Sequence, residues 1–367
     1  MVTVVVVDDS AFMRKAIATM LEKDPKIKVV ATARNGQEGL ELIRKHQPDV
    51  VTLDIEMPKM DGLTALKHIM MEMPRPVLMV SSLTTEGAEA TLKAMELGAV
   101  DFIPKQLSKV SLDIIKIEED LRNRVLAVAG RRFRAPGRPL FKSTRSTPGA
   151  PGALTHAAPA APSAPPRVPR AHTTRSQKRD VVAIGVSTGG PPAVQKVLSG
   201  LPADFPAGIL IAQHMPGAFT GPFAKRLDGV CALHVKEAEN GEQFRVGTVY
   251  VAPGGKHLRI DQKVSRINIV VSDEPSEALY KPSANELMAS VANGVGRRAL
   301  GVILTGMGND GMIGMKELKS RGGRALAQSD ATCVVYGMPK AIVDAQLADE
   351  IVDIDDMSAA IIDNLYA

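Results

Sequence analysis

Residues 1–10 read MVTVVVVDDS, and their pattern sets the fold of the first third of the chain. VTVVVV (2–7) is a short apolar, β-branched run, as expected of a strand buried on both faces of a parallel sheet. Ser10 follows at an N-cap position, and Met13, Ile17, Met20 and Leu21 recur at helical spacing. The strand signal returns in IKVVATA (27–33), DVVTL (49–53), PVLMVS (76–81) and VDFI (100–103), with helical stretches near 36–46, 61–72 and 86–97. A last helix places Ile114, Ile117, Leu121, Val125 and Val128 at steps of three and four and stops at Gly130. Five strands alternating with five helices predict a doubly wound parallel sheet over residues 1–129.

The next segment changes character. Residues 131–179 hold nine Pro, nine Ala, eleven Lys/Arg and no acidic residue. Such a stretch buries too little apolar surface to offset its ordering entropy and reads as an extended linker, placed at 130–179. It also accounts for the net charge: the chain carries +5 overall, the segment alone +11, and the remainder −6. From DVVAIGV (180–186) a second α/β unit begins and runs to 367. Strands are expected near 207–212, 230–235, 248–252, 267–271, 300–304, 324–327 and 350–353, and helices near 191–199, 217–227, 283–294 and 311–321. A mainly parallel sheet with hairpin content in its middle follows from that order.

Composition excludes several functions. Apolar residues are 45% and charged residues 23% of the 367, ordinary for a globular chain. No apolar run approaches the roughly 18 residues of a membrane span. The N-terminus lacks the basic flank of a secretory signal. Two cysteines far apart, Cys231 and Cys333, suit neither a disulfide framework nor a zinc cluster. A cytoplasmic, monomeric protein is expected. Aromatics at 3%, with no Trp, argue against a base-stacking surface and nucleic-acid binding.

Ligands of open parallel sheets bind at the carboxyl ends of strands. In the first unit those ends carry Asp8-Asp9, then Asp54 followed by Ile55-Glu56, then Ser81-Ser82, and finally Lys105. Three carboxylates in one crevice repel unless a cation joins them, and Mg²⁺, a hard ion with oxygen ligands, suits them. A phosphoryl group on Asp54 would meet an ammonium and a hydroxyl donor beside that ion. With these residues the unit resembles the receiver domain of bacterial response regulators. The resemblance implies Asp54 as phosphoacceptor, Asp8 and Asp9 as the acid pair, and Asp9, Asp54 and the Glu56 carbonyl as magnesium ligands. It also implies Ser81 as switch hydroxyl, Phe102 as switch aromatic and Lys105 as phosphate-contacting lysine. The family usually has Pro after that lysine, whereas this chain reads Pro104-Lys105-Gln106.

In the second unit the strand 180–186 runs into Gly185-Val186-Ser187-Thr188-Gly189-Gly190, a G-x-S-x-G turn between strand and helix. It reads as a nucleophile turn, a phosphate-binding glycine turn or a capping serine. A second strand ends in His214-Met215-Pro216 and a third in GMGNDG, 306–311. Parallel strands would bring Ser187, His214 and Asp310 to one sheet edge, with His214 as base and Asp310 holding its tautomer. The glycine-rich turn could also supply oxyanion donors. His234 and His257 lack such company and are read as structural. The strings GVSTGG, AQHMP and LTGMGNDG together resemble the chemotaxis protein-glutamate methylesterase family, CheB.

That resemblance implies Ser187 as nucleophile, His214 as general base, Asp310 as orienting acid, and Thr188 and Met307 near the oxyanion. It implies phosphorylation-activated hydrolysis of glutamate γ-methyl esters on chemoreceptors, with glutamine deamidation by the same acyl chemistry. Ester hydrolysis itself would use no cofactor, and the phosphodonor would be the pathway's histidine kinase. The competing expectation is a response regulator with a non-catalytic DNA- or protein-binding output, which the basic linker favours.

Overall fold

The computed structural model describes residues 1–105, 111–129 and 176–367. The expected linker therefore lies outside the described residues up to 175, as does Gln106. The first unit is a five-stranded parallel sheet. Its strands are β1 (Val2–Val7), β2 (Ile27–Ala33), β3 (Val50–Asp54), β4 (Val77–Ser81) and β5 (Asp101–Pro104), in the order β2-β1-β3-β4-β5. Helices α1 (Ala11–Glu22), α2 (Gly36–His46), α3 (Gly62–Glu72), α4 (Thr85–Glu96) and α5 (Ser111–Ala129) connect and cover it. Side chains of Ser10, Asn35, Asp61 and Thr84 each accept from an amide of the following helix, which explains why those helices start where they do. β3 and β4 are buried at every position, so their continuous apolar runs are the signature of two covered faces.

The second unit is a seven-stranded sheet in which every strand is parallel to its neighbours. Its strands are β6 (Val181–Val186), β7 (Gly208–Gln213), β8 (His234–Glu237), β9 (Thr248–Val251), β12 (Ala299–Ile303), β13 (Arg324–Gln328) and β14 (Glu350–Val352), in the order β14-β13-β12-β6-β7-β9-β8. An antiparallel hairpin, β10 (His257–Gln262) with β11 (Ile267–Ser272), supplies the hairpin content and forms its own small sheet. The helices are α6 (Gly190–Ser199), α7 (Gly217–Asp228), α8 (Ala284–Val295), α9 (Met312–Ser320), α10 (Met338–Asp344) and α11 (Met357–Tyr366).

Three elements were not foreseen from sequence. β10 carries Arg259 between buried Leu258 and Ile260 and ends in Asp261-Gln262, so its apolar run is broken. α10 spans seven residues and α11 ten, too short to show a clear period. The strand expected near 230–235 forms at 234–237, because pairing with β9 rather than local apolarity sets its limits.

Chain order places β6 between β7 and β12, where the direction of winding reverses. This is the position at which doubly wound sheets open a crevice at their carboxyl edge. The two units also pack on each other. α4 lies against α7, the Phe102 and Phe219 rings stack with centroids 4.5 Å apart, and Glu96 pairs with Arg226. Val100, Leu121 and Val125 of the first unit share one apolar cluster with Val335, and Met307 and Val334 pack against it. A cavity of about 450 Å³ remains between the units, bordered by Leu92, Met95, Gly189, Pro191 and Phe223.

Candidate active site

Ser187, His214 and Asp310 follow the adjacent strands β6, β7 and β12, and the fold brings all three to one end of the sheet. His214 Nε2 lies 2.8 Å from Asp310 Oδ2. Nδ1 is therefore the nitrogen left to act as a base when Nε2 carries the proton toward Asp310. Among the described residues no hydrogen bond joins the Ser187 hydroxyl to His214, and Ser187 is only 7% exposed. Gly189 adopts φ +76°, and Gly306 packs so close that a Cβ there would lie 2.9 Å from Ser187 Cβ. The glycines thus set the turn and let the β12 loop close on the serine.

Asp310 is the best-anchored group of the site. Its Oδ1 accepts from Ser283 Oγ at 2.9 Å, Asn285 N at 3.0 Å and its neighbour Gly311 N at 3.0 Å. Its Oδ2 accepts from Ala284 N at 2.6 Å as well as facing His214. Ser283 caps α8, so the carboxylate sits on the first amides of that helix, where its charge is favoured. Burial acts to raise the Asp310 pKa. The His214 bond and charge and the amides of Asn285 and Ala284 outweigh it, and the net shift is downward. The carboxylate is held ionised and fixed, as an orienting acid must be.

A second tier of buried side chains ties the strand ends together. Gln213 Nε2 donates to the carbonyls of Ser187 (3.0 Å) and His214 (3.2 Å). Thr305 Oγ1 donates to the Thr188 carbonyl at 2.9 Å, and Gln328 Oε1 accepts from Thr305 N. His257 is buried between the Pro275 carbonyl and the Ser283 amide, and burial lowers its pKa. Ser283, Gln213 and Thr305 were not singled out from sequence. For Ser283 a signal existed, since Ser283 and Glu286 have capping-box spacing; its bond to Asp310 is tertiary. Thr188 Oγ1 is buried without a hydrogen-bond partner, next in the chain to Ser187. Met307 packs against the cluster that joins the two units.

In the first unit Asp8, Asp9 and Asp54 each offer an oxygen within 4.8 Å of the others. Lys105 Nζ stands 2.6 Å from Asp54 Oδ2 and 3.2 Å from Asp8 Oδ2. The lysine reaches the pocket from the end of β5, where its amide donates to the Ser81 carbonyl, although no proline follows it. Burial pushes the Asp54 pKa up to about 6, and Asp8 adds to the rise while Lys105 opposes it. The buried Asp8 Oδ2 and Asp54 Oδ2 meet no donor except the Lys105 ammonium, so this oxygen-only donor set fits a hard divalent cation. The Glu56 side chain is exposed and stands outside the cluster of three.

Ser81 and Phe102 are turned away from the acidic pocket. The Ser81 hydroxyl lies 2.7 Å from Thr91 Oγ1 and 3.2 Å from the Gly87 carbonyl, both on α4. The Phe102 ring is buried against Phe219.

A Ser/His/Asp edge joined to an acidic receiver pocket defines a two-domain regulated hydrolase. Comparison with known proteins agrees. Residues 4–115 match the response regulator receiver domain family and residues 182–361 the CheB methylesterase family. The chain is 76% identical over 366 residues to a protein-glutamate methylesterase/protein-glutamine glutaminase of Nitratidesulfovibrio vulgaris, covering all of both chains. Like-named proteins of Oleidesulfovibrio alaskensis and Lawsonia intracellularis are 70% and 55% identical, again over the full length of each. The chain belongs to the CheB methylesterase family, in its form with an N-terminal receiver. This disfavours a non-catalytic output domain. Among the described residues no helix is long and apolar enough to cross a membrane.

Proposed function

We propose that this chain is a phosphorylation-controlled protein-glutamate methylesterase and protein-glutamine glutaminase acting on chemoreceptors. Ser187 attacks the γ-carbonyl of a glutamyl methyl ester, and His214 takes the serine proton and returns it to the departing methanol. Water then hydrolyses the acyl-serine with His214 as base again, leaving a free glutamate. A glutamine side chain reaches the same acyl-serine with ammonia as leaving group. Thr188 and Met307 would meet the developing oxyanion, a role supported for Thr188 by its buried, unpartnered Oγ1. The observation that carries this reading is the His214–Asp310 pair, with its buried carboxylate seated on the start of α8.

Control follows from the packing of the units. The α4, β5 and α5 face of the receiver covers the serine end of the catalytic sheet, and Ser187 is nearly inaccessible in this arrangement. The pathway's histidine kinase would supply the phosphoryl group, and Asp54 would receive it. Asp8, Asp9 and Asp54, with the Glu56 carbonyl, would hold Mg²⁺, which when bound offsets the charge of the incoming phosphoryl group. Lys105 contacts the phosphoryl oxygens, and Ser81 turns from α4 toward them. The Phe102–Phe219 stack, on the order of 1 kcal/mol, is then free to separate. Phosphorylation can shift the domain equilibrium only by its differential affinity for the two arrangements.

The test is methanol release from methylated receptor membranes, with and without a small phosphodonor and Mg²⁺. Release should rise with the phosphodonor and fall at least about 10⁴-fold in Ser187→Ala. Full activity in a folded Ser187→Ala would overturn the mechanism. Lower basal activity after deletion of residues 1–130 would overturn control by occlusion.

A further inference from the structure

The triad does not by itself fix the plane of the catalytic imidazole. Asp310 holds one edge of the ring through Nε2. The ring can still rock about the line from its Cβ to that nitrogen, and such a rock carries Nδ1 toward or away from the serine. The opposing contact comes from Tyr280. Its ring lies 4.3 Å from the His214 ring, centroid to centroid, with only 10° between the planes. Two flat rings this close and this parallel block rocking toward the tyrosine and shield that imidazole face from water.

The loop that carries Tyr280 is itself tied down beside the triad. The Gly255 amide donates to the Lys281 carbonyl at 3.1 Å, and Lys281 Nζ donates to the Asp273 carbonyl at 2.9 Å. Two residues further on, Ser283 donates to Asp310. One loop thus holds the histidine twice, on its face directly and at its edge through the carboxylate. The tyrosine hydroxyl end lies over the oxyanion-side loop, where a Cβ on Gly308 would come within 3.3 Å of it. Burial pushes the Tyr280 phenol up, with the Asp310 and Asp120 charges adding to the rise and Arg124 opposing it.

We infer that Tyr280 is a positioning residue, whose ring holds the His214 imidazole in the plane from which it can accept the Ser187 proton. The ring, not the hydroxyl, is the working part. The inference rests on His214 being the base.

The experiment compares Tyr280→Phe and Tyr280→Leu in the full chain, phosphodonor and Mg²⁺ present. It follows methanol release from receptor membranes and labelling of Ser187 by a fluorophosphonate. Tyr280→Phe keeps the stack and should retain kcat within about two-fold of wild type. Tyr280→Leu should lose about ten-fold in kcat with KM little changed, the size of one lost aromatic stack. Labelling should slow in the same ratio, because the small probe needs an activated serine but no receptor docking. Thermal unfolding of both variants separates this from loss of fold.

Wild-type kcat in a folded Tyr280→Leu would overturn the inference. Equal damage in Tyr280→Phe and Tyr280→Leu would overturn it too, by moving the effect to the hydroxyl. A rise in KM alone would make Tyr280 a receptor contact and also overturn it. His214→Gln is the control: if it hydrolyses esters at the wild-type rate, the mechanism under Proposed function fails, independently of Tyr280.

Discussion

Asp54 and Asp310 are the same residue type, both at the carboxyl edge of a parallel sheet and both almost fully buried. Their pKa values move in opposite directions. Asp310 receives amide donors from the start of α8 and a hydroxyl from Ser283 in addition to its histidine. Asp54 receives the Ile55 amide, a lysine shared with Asp8, and the charge of Asp8 itself. Burial pushes both up, and the donors and charges around each decide the net direction. One pocket is finished by the protein itself. The other, on the proposed function, would be completed by a cation and a phosphoryl group.

The largest expected effect breaks the finished pocket. Asp310→Asn should lower kcat by about 10⁴-fold, since the amide cannot hold the required tautomer. It should also cost stability at neutral pH. A carboxylate whose folded pKa is depressed stabilises fully above the unfolded value of about 3.9 and loses that contribution as pH falls through the folded value. Denaturant unfolding from pH 7 downward should therefore show the gap between wild type and variant closing in acid. A gap independent of pH would mean the donors do not act on the charge.

The same measurement at Asp54 should give the opposite sign. In chelator, Asp54→Asn should be more stable than wild type at pH 7, by about 1–2 kcal/mol. The raised pKa makes the wild-type penalty grow from about pH 4 to its full size above pH 6. Stimulation of methanol release by phosphodonor should vanish in this variant while basal release remains.

Mg²⁺ at ten times its Kd should then stabilise the wild-type chain by about 1.4 kcal/mol and Asp9→Asn by less. Equal stabilisation of both would remove Asp9 from the ligand set.

The smallest effect concerns the seam between the pockets. Arg226→Ala removes the interdomain partner of Glu96. An ion pair of this kind contributes at most about 1 kcal/mol, so basal methanol release should rise no more than about five-fold. A fall in basal release would show that the contact supports activity.

Much of this was legible in the sequence. The runs VTVVVV and VVAIGV could only be strands covered on both faces, because unbroken β-branched runs leave no face for solvent. Placing Asp8, Asp54, Ser187, His214 and Asp310 at strand ends required only the alternation of strand and helix. The helix expected near 283–294 is α8. None of this says that the α8 amides close on Asp310, that Tyr280 lies flat on His214, or that Phe102 meets Phe219. Those contacts join residues far apart in the chain, on loops and faces whose positions are set by how the layers pack. Local pattern fixes which face of an element is apolar; which distant group that face or loop end meets is decided only when the whole core closes.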